Sequence, residues 1–294
     1  MVTPRPSFAL FRSSLAAMLA AALVAVGAAA ADPLPSFPDF GSTAGLTLKG
    51  NAQQVGSVLR LTATDQFTAA AGSAWFDSPI SLSVGFESVF TFRITPGELY
   101  RGEAGDGLTF TIQDAGLDAL GFAGHAIGYG GIPDSLAVEF DTFLNNDSGT
   151  ALYGDPNGNH VSVHTRGVEP NSGDEAYSLG SSTTIPTLDD AQVHTARVDY
   201  LPGTLQVFMD GSSAPYVSVA VDLGDLLATP DAFFGFTAGS GAATSNHDIL
   251  SWSLVQIPEP RTGVLAALGL ALLARRPPRG RAGLSSESSP IARR

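Results

Sequence analysis

The chain has 294 residues, no cysteine, 44% hydrophobic residues and a formal net charge of −13. Residues 1–31 hold two arginines and no acid, and residues 258–294 hold seven arginines and two glutamates, so 32–257 keep 6 basic against 26 acidic groups, a net of −20. So acidic a central region argues against a nucleic-acid binder, because the phosphate term is repulsive, and the lack of cysteine excludes disulfides and thiolate catalysis.

In chain order the first element is an address. "MVTPRPSFALFRSSLAAMLAAALVAVGAAAADP" sets Arg5 and Arg12 before an apolar run from Leu15 to Val26 and then small residues. That pattern assigns residues 1–31 to a secretory signal peptide, cut near Ala30 or Ala31. Strand signals follow at short spacing: "GSVLRLTA", "SVFTFRI", "GLTFTIQD", "SLAVEFDTF", "HVSVHT", "TARVDYL", "TLQVFMDG", "YVSVAVDL", "AFFGFTAG" and "DILSWSLVQI". Their apolar–polar alternation, broken by Gly, Asn, Asp and Pro, predicts an all-β domain over 32–257, an antiparallel two-sheet sandwich. "FMDGSSAP" reads as a hairpin turning at Asp210-Gly211. "DLGDLLATP" reads as one helical turn capped by Asp222, and Trp252 is expected in or beside the core.

One strand carries the chemistry. In "AVEFDTFLNN", Val138, Phe140 and Phe143 are apolar, yet Glu139 and Asp141 sit among them. Residues two apart in a strand share a face. Burying unpaired carboxylates costs several kcal/mol each, so a cation is expected beside them. Asn145 follows, then Asp155 and His160 in "GDPNGNH", with Asp147 as a competing oxygen donor. The alternative is an exposed acidic turn without metal. His164, on the strand of His160, reads as a surface residue.

These segments together resemble a known family, the legume-type (L-type) lectins related to concanavalin A. "AVEFDTFLNN…GDPNGNH" resembles its metal-binding segment, "GDGLTFTIQD" its first sugar-binding loop and "GHAIGYGG" its glycine-rich second loop. "FGFTAGSGAATSNHDILSWSL" resembles its last loop and closing strand, and "FGSTAGLTLKGNAQQVGSVLRLT" its opening strands. The resemblance implies a concanavalin A-like jelly roll. It further implies Ca2+ held by Asp141, the Phe143 carbonyl, Asn145 and Asp155. A second, Mn2+-type site would use Glu139, Asp141, Asp155 and His160. The implied sugar site combines the Asp106 carboxylate, the Asn145 amide, backbone near Gly124 and His125, and the ring of Phe143. Ala242, Ala243 and Thr244 of the last loop complete it. In that family the residue before this aspartate often enters through a cis peptide, a costly bond that a bound metal can sustain; here that bond is Gly105-Asp106. Enzymes of the same sandwich, the laminarinase-related glycoside hydrolases, carry E-x-D-x-E; here Glu139 and Asp141 precede Phe143, so the third acid is missing and no enzyme is expected.

The last element, "IPEPRTGVLAALGLALLARRPPRGR", places Pro258-Glu259-Pro260 before an apolar run from Val264 to Ala274 and four arginines. It resembles the PEP-CTERM sorting signal of exported bacterial proteins, processed by an exosortase-like enzyme. The run is shorter than the roughly 20 residues of a spanning helix, and a polar tail continues beyond it. The expectation is therefore an exported glycan- or exopolysaccharide-binding protein of a bacterial cell surface or extracellular matrix, meeting membrane only through 258–294. The alternative is a structural surface protein that keeps the lectin fold with a degenerate sugar site.

Overall fold

The computed structural model describes residues 33–66, 69–146 and 153–257; both terminal signals and Asp147 lie outside these. The first half forms β1 (Ser36–Phe37), β2 (Leu46–Gly50), β3 (Gln53–Val55), β4 (Val58–Thr62), β5 (Ala70–Phe76), β6 (Ile80–Ser81), β7 (Gly85–Pro96) and β8 (Gly107–Gln113). The second half adds β9 (Ser135–Asp141), β10 (His160–Thr165), β11 (Ser178–Ser182), β12 (His194–Leu201), β13 (Thr204–Met209), β14 (Val217–Val219), β15 (Asp231–Ser240) and β16 (Ser245–Ile257). Among the described residues one short α-helix, α1 (Leu223–Leu227), interrupts them. Its cap is Asp222, whose carboxylate accepts from the N–H groups of Gly224 and Asp225, satisfying donors that have no partner within the helix.

The strands form two antiparallel sheets. The back sheet runs β14-β13-β12-β7-β16-β4-β3, with β1 on β16; the front sheet runs β11-β10-β9-β8-β15-β5-β2, with β6 on β15. Between them lies an aromatic core. Phe90 meets Phe236 at 5.0 Å and Phe236 meets Trp252 at 4.9 Å, both edge to face. Each such ring, fully buried, stabilises the fold by about 1.5–3 kcal/mol. Trp252 is buried, and its indole N–H donates to Ser88 at 3.0 Å, which avoids an orphaned donor in the core. The hairpin between β13 and β14 turns where expected, with Asp210 and Gly211 at φ 49° and 72°.

The outer face of the front sheet is where simple alternation fails. Every residue of β8, β9 and β10 is buried, although polar residues fill alternate positions. Loops cover that face and satisfy its hydroxyls. Trp75 Nε1 and Ser73 donate to the Ala119 carbonyl, both at 2.8 Å. Thr237 donates to Ile127 at 2.7 Å, and Ser135 to Ile132 at 2.9 Å. A solvent face has thereby become an interior polar layer, and the acids of β9 lie within it.

Candidate functional site

β9 lies between β8 and β10 in a register that opposes Glu139 to Thr109 and Ser162, and Asp141 to Gly107 and His160. Phe140 between them points into the core and is fully buried. The strand period therefore throws Glu139 and Asp141 to the opposite side, beside His160. Ligand atoms of Glu139, Asp141 and His160 all lie within 4.8 Å of one another. Each of the three side chains is 2% exposed or less. Asp155 joins from the following loop at 6% exposure, accepting from the Asn145 N–H at 2.6 Å. Asp141 accepts from the Phe143 N–H at 2.7 Å.

Electrostatics marks this cluster as strained by like charge. Burial, then Glu139 and Asp155, hold the Asp141 carboxyl well above the ordinary carboxylate range. Burial pushes Asp155 up to about 7 against the Asn145 N–H. His160 is lowered by burial, and its Nδ1 lies 3.0 Å from the Asn157 carbonyl. That leaves Nε2 of a neutral imidazole as a lone-pair donor. Carboxylate oxygens and one imidazole nitrogen, crowded together in the interior, form a donor set that fits a divalent cation.

Asp106 enters from the loop before β8. Thr142 N–H donates to its carbonyl at 2.8 Å, tying that loop to the end of β9. Glycines on both sides permit the approach: a Cβ at 105 would meet the Ala243 carbonyl at 2.1 Å, and one at 107 the Phe140 carbonyl at 2.4 Å. The Gly105-Asp106 bond is trans, where the family resemblance implies an often cis bond sustained by metal. Gly107, at φ 149°, supplies the backbone freedom here. Burial pushes Asp106 up to about 7, opposed by hydrogen bonds from the Asn145 side chain and the Gly241 N–H.

Three loops thus converge. A Cβ at Gly241 would stand 3.2 Å from Asp106 Oδ2 and 3.5 Å from Gly124 Cα. Gly124 opens a 3-10 turn, Gly124–Ala126, and His125 stacks on Tyr153 with ring centroids 3.7 Å apart. In the last loop Ala242 is exposed whereas Ala243 is buried. Thr244 is spent on structure, its hydroxyl accepting from Glu98 N–H at 3.0 Å and donating to Thr64 at 3.2 Å. The Phe143 ring is 9% exposed and lies parallel to Tyr100, centroids 6.2 Å apart, so Tyr100, 43% exposed, carries much of the aromatic surface there.

Two residues depart from the sequence reading. His164 is no surface residue: it is 1% exposed, with Nε2 2.8 Å from Ser162 Oγ, 3.4 Å from Glu175 and 3.6 Å from Glu139. The covering loops enclose the whole His160–Ser162–His164 face. Burial alone lowers the His164 pKa, and Glu139 and Glu175 more than reverse this. The second is Tyr129, whose hydroxyl donates to Glu139 Oε2 and which the sequence did not single out. The strand period held the signal for His164, since i and i+4 share a face; nothing local pointed from Tyr129 to Glu139.

A two-sheet jelly roll whose loops meet around a buried acid cluster is a carbohydrate-binding fold of the lectin type. The chain belongs to the legume lectin (L-type) family: the model of the legume lectin beta-barrel domain matches residues 40–251. A lectin of Leucomphalos mildbraedii is 29% identical, over 74% of this chain and 93% of that protein. The probable L-type lectin-domain containing receptor kinase VII.2 of Arabidopsis thaliana is 27% identical over 72% of this chain, which spans only 33% of that kinase. The Bauhinia forficata lectin, solved in complex with GalNAc, shares the fold at a TM-score of 0.61 and 23% identity, covering 76% of this chain and 97% of that one.

Proposed function

We propose that this chain is an exported, calcium-dependent glycan-binding protein without catalytic activity. The observation that carries the reading is the meeting of Asp106, Asn145, Gly124 and Gly241, from four separate segments, directly beside the buried acid cluster. Ca2+ would be held by Asp141, Asp155, Asn145 and the Phe143 carbonyl. An Mn2+-type ion would sit with Glu139, Asp141, Asp155 and His160. When bound, these cations neutralise the crowded carboxylates and stiffen the loop that carries Asn145.

The remaining work falls to the chain itself. Asp106 accepts from two sugar hydroxyls while the Asn145 amide and backbone N–H groups at Gly124 and His125 donate. Phe143 and the more exposed Tyr100 beside it together offer an aromatic surface to the apolar face of the ring. Ala242 adds contact without polar bonds, whereas the Ala243 side chain is buried. So few polar groups give weak affinity for one sugar, about −4 to −6 kcal/mol, or mM to tens of µM. Display of many copies on a surface raises it by avidity. GalNAc in the Bauhinia lectin supports a glycan ligand. The bulk of His125 in the second loop argues against carrying the same sugar over.

Export by residues 1–31 and sorting by an exosortase-like enzyme at 258–294 place this function at a bacterial surface or matrix, with exopolysaccharide as the natural class of ligand. A glycan array of the full-length chain with calcium, repeated with EDTA, tests the reading. Binding that chelation removes supports it. No binding to any glycan in calcium favours a structural protein with a degenerate site.

A further inference from the structure

We infer that Tyr129 is a positioning residue through which the cation at Glu139 sets the conformation of the Gly124–His125 loop; the inference rests on the reading that the acid cluster holds a divalent metal. Tyr129 is fully buried, and its hydroxyl donates to Glu139 Oε2. That bond occupies one carboxylate oxygen and fixes rotation of the group, as outer partners of metal ligands do. A phenylalanine would fill the same space, so the hydroxyl has a task that packing does not explain.

The other end of Tyr129 is the sugar loop itself. Its N–H and that of Gly130 both donate to the Ala126 carbonyl at 2.9 Å, and Ile127 N–H donates to Gly124 at 2.8 Å. Gly121 N–H donates to Gly128 at 2.7 Å, and Gly128 N–H to Phe122 at 2.8 Å. From Gly121 to Gly130 the loop is one hydrogen-bonded unit, so a shift of the phenol is carried to Gly124.

The phenol has one proton and two acceptors. Besides Glu139, the Ser172 carbonyl lies 3.2 Å away. Ser172 is followed by Gly173, where a Cβ would stand 2.5 Å from the His125 carbonyl. A cation that draws charge from Glu139 weakens it as an acceptor and moves the proton's preference toward Ser172. The metal thereby acts differently on two arrangements of the loop, which is what any ligand-driven shift requires. His164, 3.6 Å from Glu139 Oε2, and Glu175 beyond it are the other ionisable partners on that side.

Hydrogen exchange of the full-length chain, read on a peptide covering 121–132 in EDTA, in Ca2+ and in Mn2+, tests this. In the wild type, Mn2+ slows exchange of the loop by about tenfold, a coupling within the usual allosteric range. In Tyr129→Phe that response falls below about twofold. Thr237→Val is the control: Thr237 also bonds the loop, at the Ile127 carbonyl, but does not touch Glu139. It speeds exchange in all buffers and keeps the metal response. Glu139→Gln, neutral but still an acceptor, exchanges in EDTA within about twofold of the Mn2+-loaded wild type, and stands if the Phe variant does not fold. A Tyr129→Phe protein with wild-type metal response, or a Glu139→Gln protein exchanging at the metal-free rate, overturns the inference. A wild type that takes up neither ion overturns the metal reading beneath it.

Discussion

The backbone of Gly241 lies against the carboxylate of Asp106, donating its N–H, with only 3.2 Å between Oδ2 and the place where a side chain would begin. Gly124 closes the same gap from the other side, at 3.5 Å. Gly241→Val would fill the space where the three loops meet without touching Glu139, Asp141 or His160. The expected result is loss of glycan binding with calcium affinity unchanged and stability within about 1 kcal/mol of wild type. Retained glycan binding would place the sugar elsewhere.

Asp106 and the metal-side acids divide the labour. Asp106→Ala is expected to abolish glycan binding while leaving calcium binding and melting nearly intact, because a buried carboxylate with a pKa raised to about 7 contributes no stability as an anion. Asn145→Ala is expected to weaken both, since its side chain bonds Asp106 and is the proposed oxygen ligand of Ca2+. Calorimetry with Ca2+ and array binding on the two variants separate these outcomes. Equal behaviour of the two would refute the division.

The acid cluster also predicts a pH dependence. Burial raises Asp106 and Asp155 to about 7, and burial with Glu139 and Asp155 holds Asp141 well above the ordinary carboxylate range. A raised carboxylate pKa means that the folded state keeps a proton which the unfolded chain releases above about 3.9. Without metal, stability is therefore greatest in mild acid and falls as pH rises from about 4 to about 7. Calcium opposes this by binding the ionised form. At a hundredfold excess over Kd it adds about 2.7 kcal/mol at neutral pH and less in acid. Thermal melts across this window in EDTA and in calcium give the two curves; an EDTA curve that climbs with pH would contradict the cluster's electrostatics.

A second titrating group lies at one end of β12, away from the cluster. His194 has Nδ1 2.8 Å from Asp210 and Nε2 3.2 Å from Asp190. Burial lowers its pKa, and the two hydrogen-bonded carboxylates outweigh burial and raise it. Its stabilisation is present below the unfolded value near 6.5 and is lost as pH rises through the higher folded value. The carboxylates are 35% and 38% exposed, so the effect is modest and screened by salt. His194→Gln is expected to flatten the melting profile above about pH 6.5 without altering glycan binding.

The core gives a prediction about stability alone. Phe236 meets Phe90, Phe110 and Trp252 at once. Phe236→Ala should cost about 3–5 kcal/mol, the range for a buried ring that leaves a cavity. Denaturant unfolding of the full chain measures it, and a loss below about 1 kcal/mol would mean the inner faces are less tightly packed than these contacts imply.

Much of this protein was legible in its sequence because the information is local. Alternation marks the long strands; Asp210-Gly211 and Asp222 mark a turn and a cap by their own backbone chemistry. Glu139 and Asp141 announce a shared face by spacing alone, and His160 pairs with that face because β10 is the next strand in the sheet. What tertiary structure alone decided is of another kind. β5, rich in alanine and glycine, carries little strand signal, yet it pairs between β15 and β2. Small residues are required there because a Cβ at Gly72 would stand 2.1 Å from the Leu61 carbonyl, and one at Gly235 2.0 Å from that of Ala74. His164 looks like a solvent residue until the loops beyond β8 and β10 close over it. The bonds of Tyr129 to Glu139 and of Gly241 to Asp106 join residues ten and 135 positions apart. No periodicity spans such distances: side-chain direction follows from the local backbone, but which directions meet depends on how the loops cross the sheet.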